Sequence, residues 1–312
     1  MPLKMPIYKF NDEINIDMSQ LSSNPNAIHL IEQHLDEADW DELSGNPNAI
    51  HLLKKNRDKI NWKILSGNPN AICLLKHNLD KAYWPRLSLN PNAIDLIEKH
   101  LDKVCWKELS GNPNAIDLIE KHLDKVCWKE LSGNPNAIHL LESNLDKGLD
   151  WELLTMNPNA IDLIEQILDD EDTELLIRDY LLSSNPNAIH LIEEDMDNVD
   201  WCYLSENPGA IPILEKYIDE IYWPELSSNP NAIKLLEQNF HMVDSFSNLC
   251  ANPNAVHLLA SLNYNQMRIE NKEFFQELVE FVCHPNWQMK CASRLKLELE
   301  DYQILLMECN VF

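Results

Sequence analysis

The side chains that could bind a metal ion are few in this sequence, and their spacing is irregular. Cys283, His284 and Cys291 form the one Cys/His cluster, and their spacing fits no zinc-binding pattern. The acidic run at 169–172, Asp-Asp-Glu-Asp, lacks the glycine and the spaced ligands of a calcium-binding loop. We therefore predict packing for the cysteines, a solvated turn for the acidic run, and no cofactor at either place.

Five histidines occupy one position of a repeated sequence, and a column of histidines is a potential metal site. Other copies of the repeat place Asp, Cys, Pro or Lys at the same position. A position that accepts such different side chains is expected to face solvent, which argues against a metal column. The histidines are His29, His51, His139, His190 and His257, and the counterparts are Cys73, Asp95, Asp117, Asp162, Pro212 and Lys234.

Sequence motifs of enzymes are missing as well. The chain contains no glycine-rich phosphate loop, no Gly-x-Ser-x-Gly and no His-Glu-x-x-His, and it has only 6 glycines. Its carboxylates recur in equivalent positions, whereas catalysis requires distinct residues that converge on one pocket. We predict that the protein is not an enzyme. A metal protein or enzyme centred on the C-terminal region is the least favoured alternative.

The dominant feature of the sequence is a tandem repeat marked by Asn-Pro. Asn-Pro occurs at eleven repeat positions from Asn24 to Asn252, mostly 22 residues apart, with intervals of 23, 28 and 23 as exceptions. Residues 90–111 and 112–133 are identical. A fixed period of this length predicts a solenoid in which each copy forms one layer.

Each copy is predicted to form two short helices. Asn24 and Pro25 are typical of a helix start, because Asn is a good N-cap and Pro suits the first helical position. The first helix, helix A, is predicted from Pro25 to about Gln33. Asp36 is predicted to cap a second helix, helix B, which carries Trp40. In two copies a proline directly follows the tryptophan, which leaves open a later start for helix B.

Two further positions of the repeat are predicted to hold successive layers together. The second asparagine, beginning with Asn26, is predicted to hydrogen-bond the loop of the adjacent layer and so form a ladder. A tryptophan six residues before most Asn-Pro pairs is predicted to form a continuous buried column. The tryptophans are Trp40, Trp62, Trp84, Trp106, Trp128, Trp151, Trp201 and Trp223.

The exposed positions of helix A carry different side chains in different copies, whereas the Asn-Pro-Asn and apolar positions around them stay nearly the same. A fixed frame with variable exposed positions is typical of solenoids that bind partner proteins along one face. We therefore predict a partner surface on helix A. Its residues are His29, Gln33, His51, Lys55, Cys73, His77, Asp95, Lys99, Asp117, Lys121, His139, Asp162 and His190.

The net charge of −26 limits the partners that the protein is expected to bind. Residues 1–156 carry 17 Lys+Arg and 23 Asp+Glu, and residues 157–312 carry 8 and 28. Such a charge repels nucleic acid and anionic membranes and attracts basic proteins. The sequence shows neither a long apolar segment nor a signal peptide, which predicts an intracellular protein with reduced cysteines.

The predicted fold class is all-α, an α-solenoid of about eleven 22-residue, two-helix repeats. The alternative is an α/β solenoid similar to leucine-rich repeats, whose period includes the same length. We predict a leader and half-repeat cap at 1–23, the repeats at 24–268, and a helical C-terminal cap at 269–312.

The unit LSxNPNAIxLLExxLDKVxWxxLS resembles the tandem NPNAI-type repeat proteins encoded by giant double-stranded DNA viruses of protists. The resemblance covers the eleven copies and implies a viral origin and a repeat scaffold, with no activity. It places the protein in the cytoplasm of the infected host cell or in the virion. We predict a non-enzymatic scaffold that binds a host or viral protein, and an acidic mimic of nucleic acid is the alternative. The mimic is expected to lose its partner steeply with added salt.

Overall fold

The computed structural model describes residues 8–12, 14–168, 182–194 and 196–263. The chain divides into two compact units, one of residues 1–10 and 260–312 and the other of residues 11–259. In the first unit, strand β1 (Tyr8–Phe10) pairs antiparallel with strand β2 (Ala260–Leu262), with Tyr8 opposite Leu262. The second unit contains the repeats.

The repeat unit is built of short helices, numbered here in chain order. Layer 1 contains Asn24 and layer 11 contains Asn252. A helix A follows the Asn-Pro-Asn turn in each layer, and a helix B precedes it in each layer except layer 8, where that segment lies outside the described residues. The B helices are α1 (Met18–Ser23), α3 (Trp40–Gly45), α5 (Trp62–Leu65), α7 (Trp84–Leu89), α9 (Trp106–Ser110), α11 (Trp128–Ser132), α13 (Trp151–Met156), α16 (Trp201–Glu206), α18 (Trp223–Ser228) and α20 (Phe246–Ala251). The A helices are α2 (Ile28–Ile31), α4 (Ile50–Lys55), α6 (Ile72–Lys76), α8 (Ile94–Ile97), α10 (Ile116–Glu120), α12 (Ile138–Glu142), α14 (Ile161–Leu168), α15 (Ile189–Glu194), α17 (Ile211–Lys216), α19 (Ile233–Gln238) and α21 (Val256–Leu259).

Short 3-10 helices connect many A helices to the next helix B. They are Arg57–Lys59, Leu79–Lys81, Glu98–His100, Leu123–Lys125, Leu145–Lys147, Met196–Asn198, Ile218–Glu220 and Phe240–Met242. Strands occur in the described residues only as β1 and β2, outside the repeats. The predicted all-α solenoid is therefore confirmed, and the leucine-rich-repeat alternative, which needs one strand per repeat, is wrong.

The core of the repeats lies between the two helices of each layer. In layer 2, Leu43 of helix B, Ala49 of the turn and Leu53 of helix A have no exposed surface, and equivalent residues in the other described layers are equally buried. Each helix is too short to be stable alone in water. The fold therefore depends on the burial of these apolar side chains between neighbouring layers.

The Asn-Pro-Asn segment forms a turn and not the predicted helix start. Asn24 ends helix α1 in an extended conformation, and helix α2 begins only at Ile28. The Ala27 N–H donates to Asn24 O at 3.2 Å, which closes a turn with Pro25 at its second position. The Asn24 side chain accepts the Asn26 N–H at 3.0 Å, as in an Asx-turn. The predicted N-cap role of Asn24 and Pro25 is wrong, because the Asn side chain is used within the turn and between layers.

Both asparagines of the turn join successive layers. The buried Asn112 donates through Nδ2 to Ser88 O at 2.8 Å and to Asn90 O at 3.0 Å in the preceding layer. The exposed Asn114 donates through Nδ2 to Pro91 O at 2.9 Å. The ladder predicted for the second asparagine is confirmed, and a second, buried ladder of first asparagines runs beside it.

Helix B begins at the tryptophan, as the alternative reading of its start allowed. Asp36 is exposed in the turn before helix α3 and does not cap it. The cap is Asp39, which accepts the N–H groups of Asp41 and Glu42 at 3.0 and 3.3 Å. The prediction for Asp36 was wrong because the chain passes through a further turn before helix B, and the capping position moves with the helix start.

The layers close into a ring, which the sequence did not predict. Helix α1 packs against α3 on one side and against α20 of layer 11 on the other. Asn24 Nδ2 donates to Cys250 O and Asn252 O, both at 2.9 Å, and Asn26 Nδ2 donates to Pro253 O at 2.9 Å. These are the contacts that Asn112 and Asn114 make inside the array. Layer 11 therefore precedes layer 1 in space, and we call their contact the seam.

Closure changes the role of the N-terminal leader. Helix α1, within the predicted leader and half-repeat, is the first helix of layer 1, and the unit that contains the repeats begins at Asn11. An open solenoid needs atypical end layers to cover its exposed faces. In the ring, layers 1 and 11 cover each other. The helical cap predicted at 269–312 lies outside the described residues and stays a prediction.

The seam is expected to weaken in acid because of Asp17. The Ser247 hydroxyl donates to Asp17 Oδ2 at 2.7 Å, and this bond, together with the N–H groups of Gln20 and Ser19, lowers the pKa of Asp17 below its usual value although burial opposes it. A carboxyl group whose pKa is lower in the folded state than in the unfolded state stabilises the folded protein at pH values above its unfolded-state pKa. This contribution is lost as the pH falls through the folded-state pKa.

The stability difference between wild type and Asp17→Ala is therefore expected to be present at pH 6 and to shrink below about pH 4. Urea titrations at several pH values measure it, with Asp36→Ala, an exposed aspartate, as the control. A difference that stays constant down to pH 2.5 or so would contradict the assignment to the Asp17 carboxylate.

Candidate functional site

The predicted partner surface lies on the outer side of helix A. In each layer the paired Leu or Ile side chains of this helix face the core, which leaves the predicted positions on the opposite side. His29 is half-buried. The exposed members are Gln33, His51, Lys55, Cys73, His77, Asp95, Lys99, Asp117, Lys121, His139, Asp162 and His190. Their accessibility permits binding, and their role in it stays a prediction.

Four histidines at the shared repeat position, His257 and three members of this surface, contact a glutamate of the preceding layer. The glutamate always stands on helix A three residues beyond the histidine position, so the contact follows from the register of the layers. Each pair is at least partly exposed, and such pairs contribute little to stability. The pairs are His51–Glu32 and His190–Glu165 at 2.7 Å, and His139–Glu120 and His257–Glu237 at 3.0 Å.

These contacts do not create a metal site. Among the described residues, no group of three or more His, Cys, Asp or Glu side chains is placed to hold a metal ion. The cluster Cys283, His284 and Cys291 and the acidic run 169–172 lie outside the described residues. The predictions made for them stay predictions.

The tryptophans do not form the buried column that the repeat predicted. Trp223 is 8% exposed, but the other seven are only half-buried, so the prediction of a buried spine is wrong. In four layers a lysine that follows helix A of the same layer lies over the tryptophan ring as a cation–π partner. The Nζ-to-ring distances are Lys59–Trp40 4.5 Å, Lys81–Trp62 4.7 Å, Lys125–Trp106 4.9 Å and Lys103–Trp84 5.5 Å.

The helix B face carries a pocket that sequence reasoning missed. It encloses about 490 Å³ across layers 3 to 5. Tyr83 and Leu89 are 41% and 46% exposed, and Lys63 Nζ lies 5.2 Å from the Tyr83 ring centroid. With Arg86, the pocket combines apolar surface and positive charge in an acidic protein. Its lining residues are Lys63, Gly67, Tyr83, Pro85, Arg86, Leu89 and Glu108.

A departure from the repeat could have pointed to this pocket. Layers 3 and 5 have Gly67 and Gly111 before their Asn-Pro, but layer 4 has Leu89. A large apolar side chain between two glycines leaves a depression on either side of it.

Charge is distributed unevenly within the ring. Residues 57–129 carry 12 Lys+Arg and 9 Asp+Glu, whereas residues 196–259 carry 2 and 9. Residues 196–259, in layers 9 to 11, are therefore more acidic than residues 57–129. Exposed Tyr203, Tyr222 and Ile218 lie in the same layers, so this part of the surface is both acidic and partly apolar.

Comparisons with known proteins add no relative. No protein-family model, curated protein or solved structure matches this chain. No helix among the described residues is long and apolar enough to cross a membrane.

Proposed function

We propose that this protein is a non-enzymatic scaffold that binds a basic host or viral protein on the outer face of its helical layers. The proposal rests on the contrast between the buried positions of the repeat and the exposed positions of helix A. The buried Asn, Ser, Ala and Leu positions repeat with little change, whereas the exposed helix A positions carry several different side chains, such as His51, Cys73 and Asp95 at one and the same position. Variation confined to an exposed face is what a partner surface requires.

The resemblance of the repeat to giant-virus proteins supports a viral origin and a place in the infected cell or the virion. The acidic layers support a basic partner, because complementary charge raises association rates and excludes acidic competitors. The alternative, an acidic mimic of nucleic acid, would rely on charge alone. It is less well supported, because several carboxylates of helix A are paired with histidine or lysine of the next layer.

Affinity capture tests the proposal. The full chain is immobilised, exposed to lysate of infected host cells, and the bound proteins are quantified by mass spectrometry. A variant with His139, Asp162 and His190 all changed to Ala is expected to lose the partner about tenfold or more, since few residues dominate an interface. The control, Lys63→Ala with Arg86→Ala, alters the helix B face and is expected to retain it.

Retention by the helix A variant would contradict binding on this face. Capture of the same partner over a salt series separates the two functions. A steep loss of binding between low and physiological salt, with no effect of the helix A substitutions, would favour the nucleic-acid mimic.

A further inference from the structure

Layers 4 and 10 share one helix B sequence with a single difference. Layer 4 has Tyr83-Trp84-Pro85-Arg86-Leu87-Ser88, and layer 10 has Tyr222-Trp223-Pro224-Glu225-Leu226-Ser227. In both, the helix begins at the tryptophan and its first residue precedes the proline. The two surfaces thus have the same frame, with arginine in one and glutamate in the other.

In layers 3, 5 and 6, a lysine of helix B supplies a cation to this surface of the following layer. The lysine always stands directly after the tryptophan of its layer. Lys107 Nζ lies 3.4 Å from Glu130 Oε1, and Lys129 Nζ lies 2.9 Å from Asp150 Oδ2. Lys63 lies over the ring of Tyr83, the counterpart of Tyr222. We call this position the lysine slot.

Layer 9 has Cys202 in the lysine slot, so the preceding helix B supplies no lysine to Glu225. Oε2 of Glu225 is buried and has no hydrogen-bond partner, and in the described residues no other buried side-chain N or O atom is in this condition. A buried carboxylate oxygen without a partner is costly, which indicates that a group is missing.

The surroundings of Cys202 favour a cation. Burial raises the pKa of the Cys202 thiol, and the negative charges of Glu225, Asp200 and Glu206 raise it further, so these carboxylates act together on the slot. Tyr222 is 49% exposed beside it. An aromatic face next to carboxylates suits an ammonium group on an alkyl chain.

We propose that the surface formed by Cys202, Tyr222 and Glu225 receives a lysine side chain of the partner protein. The ammonium group takes the place that Lys107 occupies relative to Glu130, and the alkyl chain lies along Tyr222. This inference rests on the proposed function and adds one contact to it: besides the contacts on helix A, the basic partner places a lysine on the helix B surface of layers 9 and 10.

A double-mutant cycle in the full chain tests the slot without any partner. Cys202→Lys supplies the missing cation from within the chain, and Cys202→Met is the matched neutral control of similar length. Cys202→Lys is expected to raise Tm by about 2–4 °C relative to Cys202→Met. In a Glu225→Gln background this gain is expected to vanish. Equal Tm values for the two variants, or a gain that survives Glu225→Gln, would overturn the proposal.

The reaction of Cys202 with small charged reagents tests whether the slot prefers a cation that is not part of the chain. Aminoethyl methanethiosulfonate attaches an ammonium group to a thiol, and its sulfonatoethyl analogue attaches an anion; peptide mass spectrometry gives the rate at each cysteine. The cationic-to-anionic rate ratio at Cys202 is expected to exceed that at exposed Cys73 by about fivefold. Glu225→Gln is expected to abolish the excess, and Glu215→Gln, on helix A, to leave it.

The same variants separate this inference from the proposed function. If the double-mutant cycle shows the expected gain in Tm but Cys202→Lys captures as much partner as the wild type, the assignment of the slot to a lysine of the partner is wrong. A positive cycle with no partner captured at all would count against the proposed function and leave the chemistry of the slot intact. If the cationic-to-anionic rate ratio at Cys202 does not exceed the ratio at Cys73, the slot has no preference for a cation and the proposal is wrong.

Discussion

Asn112→Ala is expected to lower the free energy of unfolding by about 3–6 kcal/mol, because it removes two buried hydrogen bonds and a partly buried one. Asn112 Nδ2 donates to Ser88 O and Asn90 O, and its Oδ1 accepts the Asn114 N–H at 3.0 Å. The residue has no exposed surface, so water cannot replace these partners. Guanidinium denaturation followed by far-UV circular dichroism measures the loss.

Asn114→Ala is the matched control for this variant. It lies in the same turn and makes one interlayer bond, to Pro91 O, from an exposed position. Its expected cost is about 0.5–1.5 kcal/mol. Equal costs for the two substitutions would show that the buried ladder contributes no more than the exposed one.

Asn24→Ala is expected to cost as much as Asn112→Ala, and this equality tests the ring. Asn24 bonds Cys250 O and Asn252 O across the seam as Asn112 bonds its own preceding layer. In an open chain, Asn24 would have no preceding layer and would retain only the bond from the Asn26 N–H.

The open-chain alternative therefore makes a different prediction, a cost of about 1 kcal/mol for Asn24→Ala. Exchange of the side-chain amide protons, followed by NMR, distinguishes the two cases in the wild type. The Asn24 Nδ2 protons are expected to exchange as slowly as those of Asn112. Fast exchange at Asn24 alone would mean that the seam opens while the rest of the ring stays folded.

The slot at Cys202 and the pocket at Tyr83 show where sequence reasoning stopped short. Both depend on pairs of residues in neighbouring layers, such as Lys107 with Glu130, and not on a motif within one layer. Once the layer register is known, Cys202 is seen to stand where layers 3, 5 and 6 have lysine. A comparison of equivalent positions in different layers, rather than of neighbouring residues along the chain, reveals both the slot and the pocket.

The turn and the tryptophans show a different limit. Asn-Pro is compatible both with a helix start and with a turn, and local preference alone favoured the first. The choice was made by the preceding layer, whose carbonyl groups need the Asn24 and Asn112 amides as donors. The tryptophans were assigned to the core from their size and regularity, but Leu43 and its equivalents fill that space.

The sequence by itself determined the period, the two helices of each layer, the apolar positions between them and the exposed side of helix A, because each of these follows from interactions within one repeat or between two adjacent ones. Only the tertiary structure decided that layer 11 returns to layer 1. Closure depends on a small rotation between layers that accumulates over eleven copies, and no single repeat specifies that sum. The same closure gave helix α1 two neighbours and turned a predicted cap into part of the ring.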